Sequence, residues 1–313
     1  MRKLKGITVW RCLSLVWLLF LSAAYFWPTD NLYAITIWPP FVWAGLAFVL
    51  SMAGLRIHRS RAQLVLLAGW IAFWILFGEE RKWIPARLIS PQPHAFEVIS
   101  LNCAGGSIDA AREGLATRPK IALLQESPSS KELEKLVKDI YGDSGKVIAG
   151  PDASIVIDGS LTPINLNFRQ NNFIAALAEP TGLPPVLIVS LRLQPPIFRL
   201  DYGNPDCWKS YAENRRLRRE EFIEITEYLK DLAPERVIIG GDFNTPPDTG
   251  VFKPFDGWVS PASSNSGYTA VNEVPMARID QVWTKGFSAQ TSRAERTTHS
   301  DHRVVRVWFS SKF

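Results

Sequence analysis

The stretch that decides the fold is Val237-Ile238-Ile239-Gly240-Gly241-Asp242-Phe243-Asn244. A short, fully apolar run of this kind is typical of a strand buried on both faces. The two glycines and the following aspartate and asparagine favour a tight turn, so a simple Gly/Asx turn is the ordinary interpretation. The functional interpretation is that the strand ends at a cleft and presents the Asp242 carboxylate and the Asn244 amide to it.

Polar residues stand at the ends of other apolar runs in the same way. Asn102 follows Val98–Leu101, Glu126 follows Ile121–Gln125, Asp280 lies within Arg278–Trp283, and Asp301-His302 precedes the last run. Each residue alone can be a turn cap, a solvated acid or a surface histidine. Strand ends, however, are where a rigid sheet presents polar groups to a shared cleft. The repeated pattern therefore predicts one polar site.

The region from residue 96 to 313 has the pattern of an α+β domain. Apolar and alternating runs predict eight strands, at Phe96–Leu101, Ile121–Leu124, Ser154–Ile157, Phe173–Ala178, Val186–Leu193, Val237–Ile239, Ile279–Trp283 and Val304–Phe309. Ser129 and Glu132 form a capping box ahead of one helix. A longer helix is predicted over about Ser210–Leu232, with Pro234 just beyond its end.

Taken in order, these motifs resemble the endonuclease/exonuclease/phosphatase superfamily. The matching pieces are Ser100-Leu101-Asn102, Leu124-Gln125-Glu126, Gly241-Asp242-Phe243-Asn244, Arg278-Ile279-Asp280 and Ser300-Asp301-His302. No single piece is specific, but the combination is. The resemblance implies two mixed β-sheets packed as a sandwich with helices on the outside. It also implies hydrolysis of a phosphodiester bond. The apolar front of the chain lies outside the shared region and resembles membrane-tethered bacterial-type members.

The resemblance further implies a role for each residue. Glu126 is the leading metal ligand, helped by Asn102 and Asp301, and the ion is Mg²⁺ or Mn²⁺. Asp242 orients or deprotonates the attacking water, and Asn244 holds the phosphate. His302 contacts the scissile phosphate while Asp280 fixes its ring. Oxygen ligands of this type suit a hard divalent cation.

One position departs from the family pattern. Many members carry a histidine in an Asn-Thr-His-Leu-like strand end, and the corresponding stretch here is Ser190-Leu191-Arg192-Leu193. Arginine cannot release a proton near neutral pH. The acid that protonates the leaving group is therefore open, with metal-bound water, Tyr202 and Tyr211 as candidates. Arg192 itself is either a phosphate clamp that binds substrate or a surface arginine.

The front of the chain is strongly apolar. Three uncharged stretches, Cys12–Thr29, Asn31–Leu55 and Ala62–Gly78, are each close to the length that spans a bilayer. They predict three transmembrane helices in an anchor of residues 1–80, followed by a linker of residues 81–95. Pro39-Pro40 is expected to kink or delay the second span. A signal peptide followed by buried helices is the alternative.

The charges of the short loops predict the orientation. Arg2, Lys3, Lys5 and Arg11 precede the first stretch, and Arg56, Arg59 and Arg61 lie between the second and third. Basic flanks stay on the cytoplasmic side. We therefore expect a bacterial-type inner or plasma membrane protein whose catalytic domain is extracytoplasmic.

The charge balance bears on the partner. Residues 1–82 carry a net charge of +6, which leaves −1 for the remainder of a chain whose total is +5. A near-neutral domain lacks the field of a nonspecific DNA binder, which favours a lipid or small phosphoester substrate. The Arg215–Arg219 cluster keeps nucleic acid open, although a solvated helix face is the ordinary interpretation. No protein partner is implied.

Two further points stay open. Cys103 and Cys207 could pair, but their positions in the sequence do not decide this. A non-catalytic, membrane-tethered phosphoester- or lipid-binding domain on the same fold is the alternative to an enzyme, and Arg192 is the feature that supports it.

Overall fold

The computed structural model describes residues 2–57, 60–80, 84, 88–165, 172–232, 234–247 and 250–310. The chain forms two compact units. The helical unit comprises Met1–Arg81, Ile197–Arg216 and Asp248–Gly250, and the sheet unit comprises Lys82–Pro196, Leu217–Pro247 and Val251–Phe313. Besides the residues predicted as an anchor, the helical unit thus contains a segment from much later in the chain. Residues 81–83 and 85–87 of the predicted linker lie outside the described residues.

The helical unit begins with α1 (Arg2–Phe26), α2 (Tyr33–Thr36), α3 (Pro40–Ile57) and α4 (Arg61–Phe77). Within the described residues, α1 alone holds one unbroken segment, Val9–Phe26, that is long and apolar enough to cross a membrane. A second span exists only if the bent pair Asp30–Thr36 and Pro40–Met52 counts as one. The prediction of three transmembrane helices is therefore wrong.

The reasons are local. The second apolar stretch breaks between α2 and α3 with a bend of 59°, at the Pro39-Pro40 pair. Proline lacks an amide hydrogen and disfavours a helical conformation in the residue before it, so the helix cannot continue. The third stretch forms one of the shorter apolar helices, with 17 residues, at the lower end of the range that crosses a hydrocarbon core.

The sheet unit contains the remaining elements. In chain order they are β1 (Phe96–Asn102), α5 (Ile108–Leu115), β2 (Ile121–Gln125), α6 (Ser130–Tyr141), β3 (Gly145–Ala149), β4 (Ala153–Pro163), β5 (Phe173–Pro180), β6 (Val186–Arg192), α7 (Pro205–Asp231), β7 (Val237–Asp242), β8 (Ser260–Pro261), β9 (Asp280–Lys285), β10 (Ala289–Glu295) and β11 (Val304–Phe309). All eight predicted strands are present. The first residues of α7, up to Arg216, belong to the helical unit.

The strands form one curled mixed sheet in the order β10-β11-β1-β2-β4-β5-β6-β7-β9-β8, with β3 also paired to β4. The expected α+β arrangement is confirmed, but the two separate sheets of a sandwich are not. The long strand β4 belongs to both halves, because Ala153–Ile157 pairs with β2 and Gly159–Pro163 pairs with β5. Gly159 lies between them at φ 153, where a side chain would collide with the Glu179 carbonyl oxygen.

The two halves of the curled sheet pack face to face. Their shared core includes Val98, Leu123 and Ile155 from one half and Ile188 and Ile238 from the other. Helices cover the outer surfaces: α5 and α6 pack on one half. The later part of α7 packs on the other through Phe222, Ile225 and Leu229. This layering leaves one edge of the sheet open to polar residues.

Candidate active site

The strand pairing brings the ends of five strands to the same edge. β1 and β2 are parallel, with Asn102 opposite Gln125, and β6 and β7 are parallel, with Arg192 opposite Asp242. β9 runs antiparallel to β7 and begins at this edge, so that Asp280 stands opposite Asp242. β11 runs antiparallel to β1, so the loop before it returns to the same place. The predicted convergence of strand ends is therefore present.

Asp242, Asp280 and His302 form a buried group, which we call the Asp-Asp-His cluster. Their potential ligand atoms all lie within 4.8 Å of one another. His302 Nδ1 lies 2.8 Å from Asp280 Oδ2, as the orienting role of Asp280 requires. Within the part of the chain that the structure describes, Asp280 Oδ1 is buried without a hydrogen-bond partner. Asp280 Oδ1 can therefore still bind a cation or accept a hydrogen bond.

Electrostatics set the protonation of the cluster. Burial lowers the pKa of an imidazole, but the Asp280 carboxylate and its hydrogen bond outweigh this and raise the pKa of His302 to about 10. Burial and the adjacent charge of Asp280 raise the pKa of Asp242 to about 6, against the opposing effect of His302. At neutral pH His302 is therefore an imidazolium, and Asp242 is poised close to its titration point.

Asn102 connects this cluster to Glu126. Its Nδ2 donates to Asp242 Oδ2 at 3.1 Å and to Glu126 Oε1 at 3.0 Å, and its Oδ1 accepts from the Ala104 amide at 2.9 Å. Glu126 also accepts from the Gly105 amide through Oε2 at 2.7 Å. Its backbone has φ 44, a left-handed conformation that is uncommon for glutamate. Strain of this kind is often found at functional sites.

Asn244 lies in the turn after β7. Its backbone amide donates to Asp242 Oδ1 at 2.9 Å, and its side-chain Nδ2 donates to the Leu193 carbonyl at 2.7 Å. It too has a left-handed backbone, at φ 49, a conformation that asparagine tolerates better than most residues. The predicted Asx turn and the predicted functional position are therefore the same feature, since the turn fixes the Asp242 carboxylate.

Arg192 forms a second group, the arginine network, with Glu126 and Asp152. Its guanidinium lies 2.7 Å from Glu126 Oε1 and 3.2 Å from Asp152 Oδ2. Burial would lower the pKa of Arg192, but the two carboxylates raise it above its usual value. Burial would likewise raise the pKa of Glu126, but the Asn102 hydrogen bond and the Arg192 charge hold it below its usual value. Arg192 is thus not an unpaired surface arginine.

The donor atoms suit a hard divalent cation at two places. In the Asp-Asp-His cluster, Asp280 Oδ1 accepts no hydrogen bond from the described residues. In contrast, both oxygens of Glu126 accept hydrogen bonds, and Oε1 also forms an ion pair with Arg192. A cation at Glu126 therefore has to compete with Arg192. Asp301 lies exposed at the rim, and its charge contributes to the raised pKa of His302. The structure brings Glu126 and Asn102 into contact and leaves Asp301 beside His302.

The structure gives the other predicted candidates contacts or states of their own. Tyr211 is buried in the helical unit, where its hydroxyl donates to the Arg199 carbonyl at 3.0 Å. The Tyr202 hydroxyl accepts from Trp38 Nε1 at 2.7 Å in the same unit. Cys103 and Cys207 are free thiols, so the conceivable bridge is absent. Both tyrosines serve contacts of the helical unit.

The Arg215–Arg219 cluster is divided among different environments. Arg218 is fully buried and donates to the Gln194 carbonyl at 2.9 Å and to Thr245 Oγ1 at 2.7 Å. Arg215 is buried in the helical unit and pairs with Asp30. Arg216 forms a surface pair with Glu213 at 2.6 Å. The solvated-face interpretation therefore holds for Arg216 but is wrong for Arg215 and Arg218.

Three residues that position the site were given no role from the sequence. Asp152 anchors Arg192, and no sequence pattern marks it because it lies in a turn between β3 and β4. Thr269 Oγ1 accepts from the Asp280 amide at 3.1 Å. Ser300 Oγ donates to the Asn102 carbonyl at 2.7 Å and accepts from the His302 amide at 3.0 Å. Ser300 stands within the Ser-Asp-His motif, which was the available signal.

Several solved structures of known proteins have a fold similar to that of this chain. Similar solved structures include TDP2 from Caenorhabditis elegans, at 15% identity and a TM-score of 0.51 over 90% of this chain and 93% of the other. The human Nocturnin catalytic domain with bound sulfate anion is 16% identical, at a TM-score of 0.50 over 71% of this chain and 96% of the other. D. rerio TDP2 complexed with single strand DNA product is 15% identical, at a TM-score of 0.50 over 69% and 99%.

At these identities the structures show a shared fold. No curated protein sequence matches the chain. Residues 99–302 match the profile of the Endonuclease/Exonuclease/phosphatase family, a range that includes every strand end described above. The chain therefore belongs to the endonuclease/exonuclease/phosphatase family.

Proposed function

We propose that this chain is a membrane-anchored, metal-dependent hydrolase of phosphodiester bonds whose catalytic domain is extracytoplasmic. Members of the family include nucleases and other phosphodiesterases. The single observation that carries the proposal is the Asp-Asp-His cluster at the sheet edge, with an imidazolium beside two carboxylates. This cluster places a potential base and a fixed positive charge in one buried place.

Asp242 is the proposed base for the attacking water. Its raised pKa, about 6, lies near the working pH, where a general base is most effective. The Asn244 amide and Asn102 Nδ2 hold its two oxygens, so that its orientation is fixed. His302, kept cationic by Asp280, stabilises negative charge on a phosphoryl oxygen, a contribution of a few kcal/mol per donor in comparable sites.

Asn244 and Arg192 are the proposed substrate contacts. The Asn244 side chain uses one amide hydrogen on Leu193, which leaves the other for a phosphate oxygen. The Arg192 guanidinium matches the geometry of a phosphate when it is released from Glu126. Because neither group supplies a proton, the leaving oxygen is protonated by water in this proposal.

Glu126, helped by Asn102 and by Asp301 at the rim, would hold Mg²⁺, with Mn²⁺ as a substitute. A bound cation would neutralise charge on the phosphoryl oxygens and acidify water. The two carboxylates of the Asp-Asp-His cluster support a second location, at which His302 would have to lose its proton to act as a ligand. Calorimetric titration with MnCl₂ separates the two: Glu126→Gln abolishes binding in the first case, and Asp280→Asn abolishes it in the second.

The anchor in this proposal is Val9–Phe26. With one span, the basic residues Arg2, Lys3 and Lys5 hold the N-terminus on the cytoplasmic side and place the chain after Phe26 outside. Counting the bent pair as a second span would reverse this. A topology reporter fused after Phe313 distinguishes the two arrangements, and an active cytoplasmic reporter would contradict the proposed location.

The activity is tested with bis-p-nitrophenyl phosphate, a phospholipid, single-stranded DNA and an inositol phosphate, each with and without Mg²⁺. We expect metal-dependent release of product from at least one of them, lost in Asp242→Ala and His302→Ala. Asp139→Ala, an exposed carboxylate on α6, is the matched control. Equal activity in the site variants and the control would refute the proposed mechanism.

A non-catalytic binding domain is the second candidate, and the Arg192–Glu126 ion pair favours it because the pair occupies the proposed ligand of the cation. Calorimetry with the same substrates decides between the two. Metal-dependent binding of a phosphoester without turnover of any of them would support the second candidate.

A further inference from the structure

The segment Ile197–Tyr202 of the helical unit exposes two large apolar side chains, Phe198 and Leu200, while its basic residue, Arg199, lies closer to the protein and pairs with the exposed Asp201. Phe198 is 68% exposed and Leu200 is 75% exposed, although both are large and apolar. Between them, Arg199 donates to Asp201 Oδ1 at 3.0 Å and to Ser210 Oγ at 3.0 Å. A loop that faces water normally has the opposite arrangement, with the charge outside and the apolar groups covered.

The segment is firmly held, so its exposure is a property of the fold. Tyr211 hydroxyl accepts from the Arg199 amide at 2.8 Å, and Trp208 Nε1 donates to the Tyr202 carbonyl at 2.9 Å. Ile197 and Tyr202 pack on a buried cluster that includes Tyr33 and Tyr211. Phe198 and Leu200 are therefore presented outward by a fixed scaffold.

The same cluster ties the segment to the residues that come after the apolar helix α1. Trp38 donates to the Tyr202 hydroxyl at 2.7 Å, and its ring contacts Phe198 edge-on with centroids 6.3 Å apart. Phe26 and Trp27, at the end of α1, are likewise exposed. Aromatic residues with one polar atom engaged and an apolar body free are typical of the boundary between a bilayer and water.

We propose that Phe198 and Leu200 insert into the lipid at the surface of the bilayer, as a second membrane contact beside α1. The inference rests on the proposed anchoring by Val9–Phe26. The local charge favours a bilayer over an anionic partner, because Arg199 is neutralised by Asp201 and offers no free cation. The segment comes only a few residues after β6, which ends at Arg192. Insertion therefore tethers the chain to the membrane immediately after a strand that reaches the active site.

Spin labels test this on the full chain in phosphatidylcholine vesicles. Cys12, the exposed cysteine, is replaced by serine, and single cysteines are introduced by Phe198→Cys, Leu200→Cys, Val16→Cys or Lys209→Cys. Val16 lies exposed on α1 and reports on the anchor, whereas Lys209 lies exposed on α7 and is the control. The readout is the accessibility of each label to oxygen, which concentrates in lipid, relative to a water-soluble nickel complex.

We expect labels at 198 and 200 to favour oxygen more than the label at 209 and less than the label at 16. If the label at 16 lies in lipid while those at 198 and 200 match the control, this inference is overturned and the anchor stands. If the label at 16 is also in water, the proposed anchor fails. Labels at 198 and 200 that neither reagent reaches would indicate a second copy of the chain on this surface, which also overturns the inference.

Discussion

Two groups of charged side chains meet at the same edge of the sheet, and they are held in different ways. In the Asp-Asp-His cluster, Asp242 and Asp280 are essentially inaccessible, and every group is fixed by a strand end or a turn. In the arginine network, the side chains of Glu126, Arg192 and Asp152 are each between 24% and 31% exposed. Charges that remain partly hydrated can exchange partners at low cost, whereas buried ones cannot.

This difference assigns different tasks to the two groups. A buried cluster keeps its dipoles in place and does not reorganise during a reaction, which is the property that electrostatic catalysis requires. A half-exposed network can release a carboxylate to a cation and a guanidinium to a phosphate. We therefore treat the cluster as the fixed part of the site and the network as the exchangeable part.

The largest effect is expected from Asp280→Asn. Without the carboxylate, the main cause of the raised pKa of His302 is removed while burial continues to lower it, so that the positive charge is held less firmly. We expect kcat to fall by about 10²–10⁴-fold, the range in which a positioned acid-base or charged group contributes. The measurement is steady-state hydrolysis of bis-p-nitrophenyl phosphate with Mg²⁺, with Asp139→Asn as control. Activity within a factor of two or so of the control would show that His302 needs no anionic partner.

The next effect concerns pH. His302 has its pKa raised in the folded state from 6.5 to about 10. Its ion pair therefore contributes stability that is fully present below pH 6.5 and is lost as pH rises through about 10. We expect denaturant unfolding to show this decline in the native chain and a flatter profile in His302→Gln.

Nuclear magnetic resonance checks the same point directly, since the chain has only four histidines. The resonance that disappears in His302→Gln is expected to titrate well above 6.5, the usual pKa of a histidine. A titration near 6.5 would remove the basis for treating the cluster as fixed.

The residues of the Asp-Asp-His cluster could be predicted from the sequence, whereas the contacts of the arginine network could not all be predicted. Asp242, Asp280 and His302 follow or precede apolar runs, and the parallel and antiparallel order of the strands was enough to bring them together. Asp152 and its pair with Arg192 depend on a turn that is remote in sequence from β6. Periodicity carries no information about such contacts.

The same limit explains the other differences. Four arginines within five residues do not reveal which of them are buried, so Arg215 and Arg218 were grouped with the exposed Arg216 in one solvated face. The continuity of the sheet depends on Gly159, a single residue whose φ of 153 lets β4 pair with both halves. Pro39-Pro40 did signal a break, but not the 59° bend between the helices on either side of it.

A smaller effect is expected from Arg192→Ala. Removing the guanidinium leaves Glu126 Oε1 with the Asn102 hydrogen bond alone, so a divalent cation no longer competes with a resident positive charge. We expect Mn²⁺ to bind about tenfold more tightly by calorimetry, a change that corresponds to roughly 1.4 kcal/mol. Arg216→Ala, which removes an exposed arginine paired with Glu213, is the control. Unchanged or weaker binding would show that the cation does not use Glu126.

The smallest effect is expected from Asp152→Asn. The Asp152–Arg192 contact is 3.2 Å long between side chains that are 31% and 24% exposed, so solvent screens much of its attraction. Pairs of this kind contribute on the order of 1 kcal/mol or less, and salt weakens them further. We expect the free energy of unfolding to fall by no more than about 1 kcal/mol, and the difference to shrink in 0.5 M or so NaCl.

The Asp152→Asn variant also tests whether the arginine network is more exchangeable than the Asp-Asp-His cluster. If the network is exchangeable, the remaining Glu126 carboxylate retains Arg192 and the loss stays small in urea titrations of both proteins. A loss of several kcal/mol that salt does not reduce would mean that Asp152 and Arg192 are held as rigidly as Asp280 and His302. The half-exposed side of the site would then be a structural ion pair, and Glu126 would not be released to a cation.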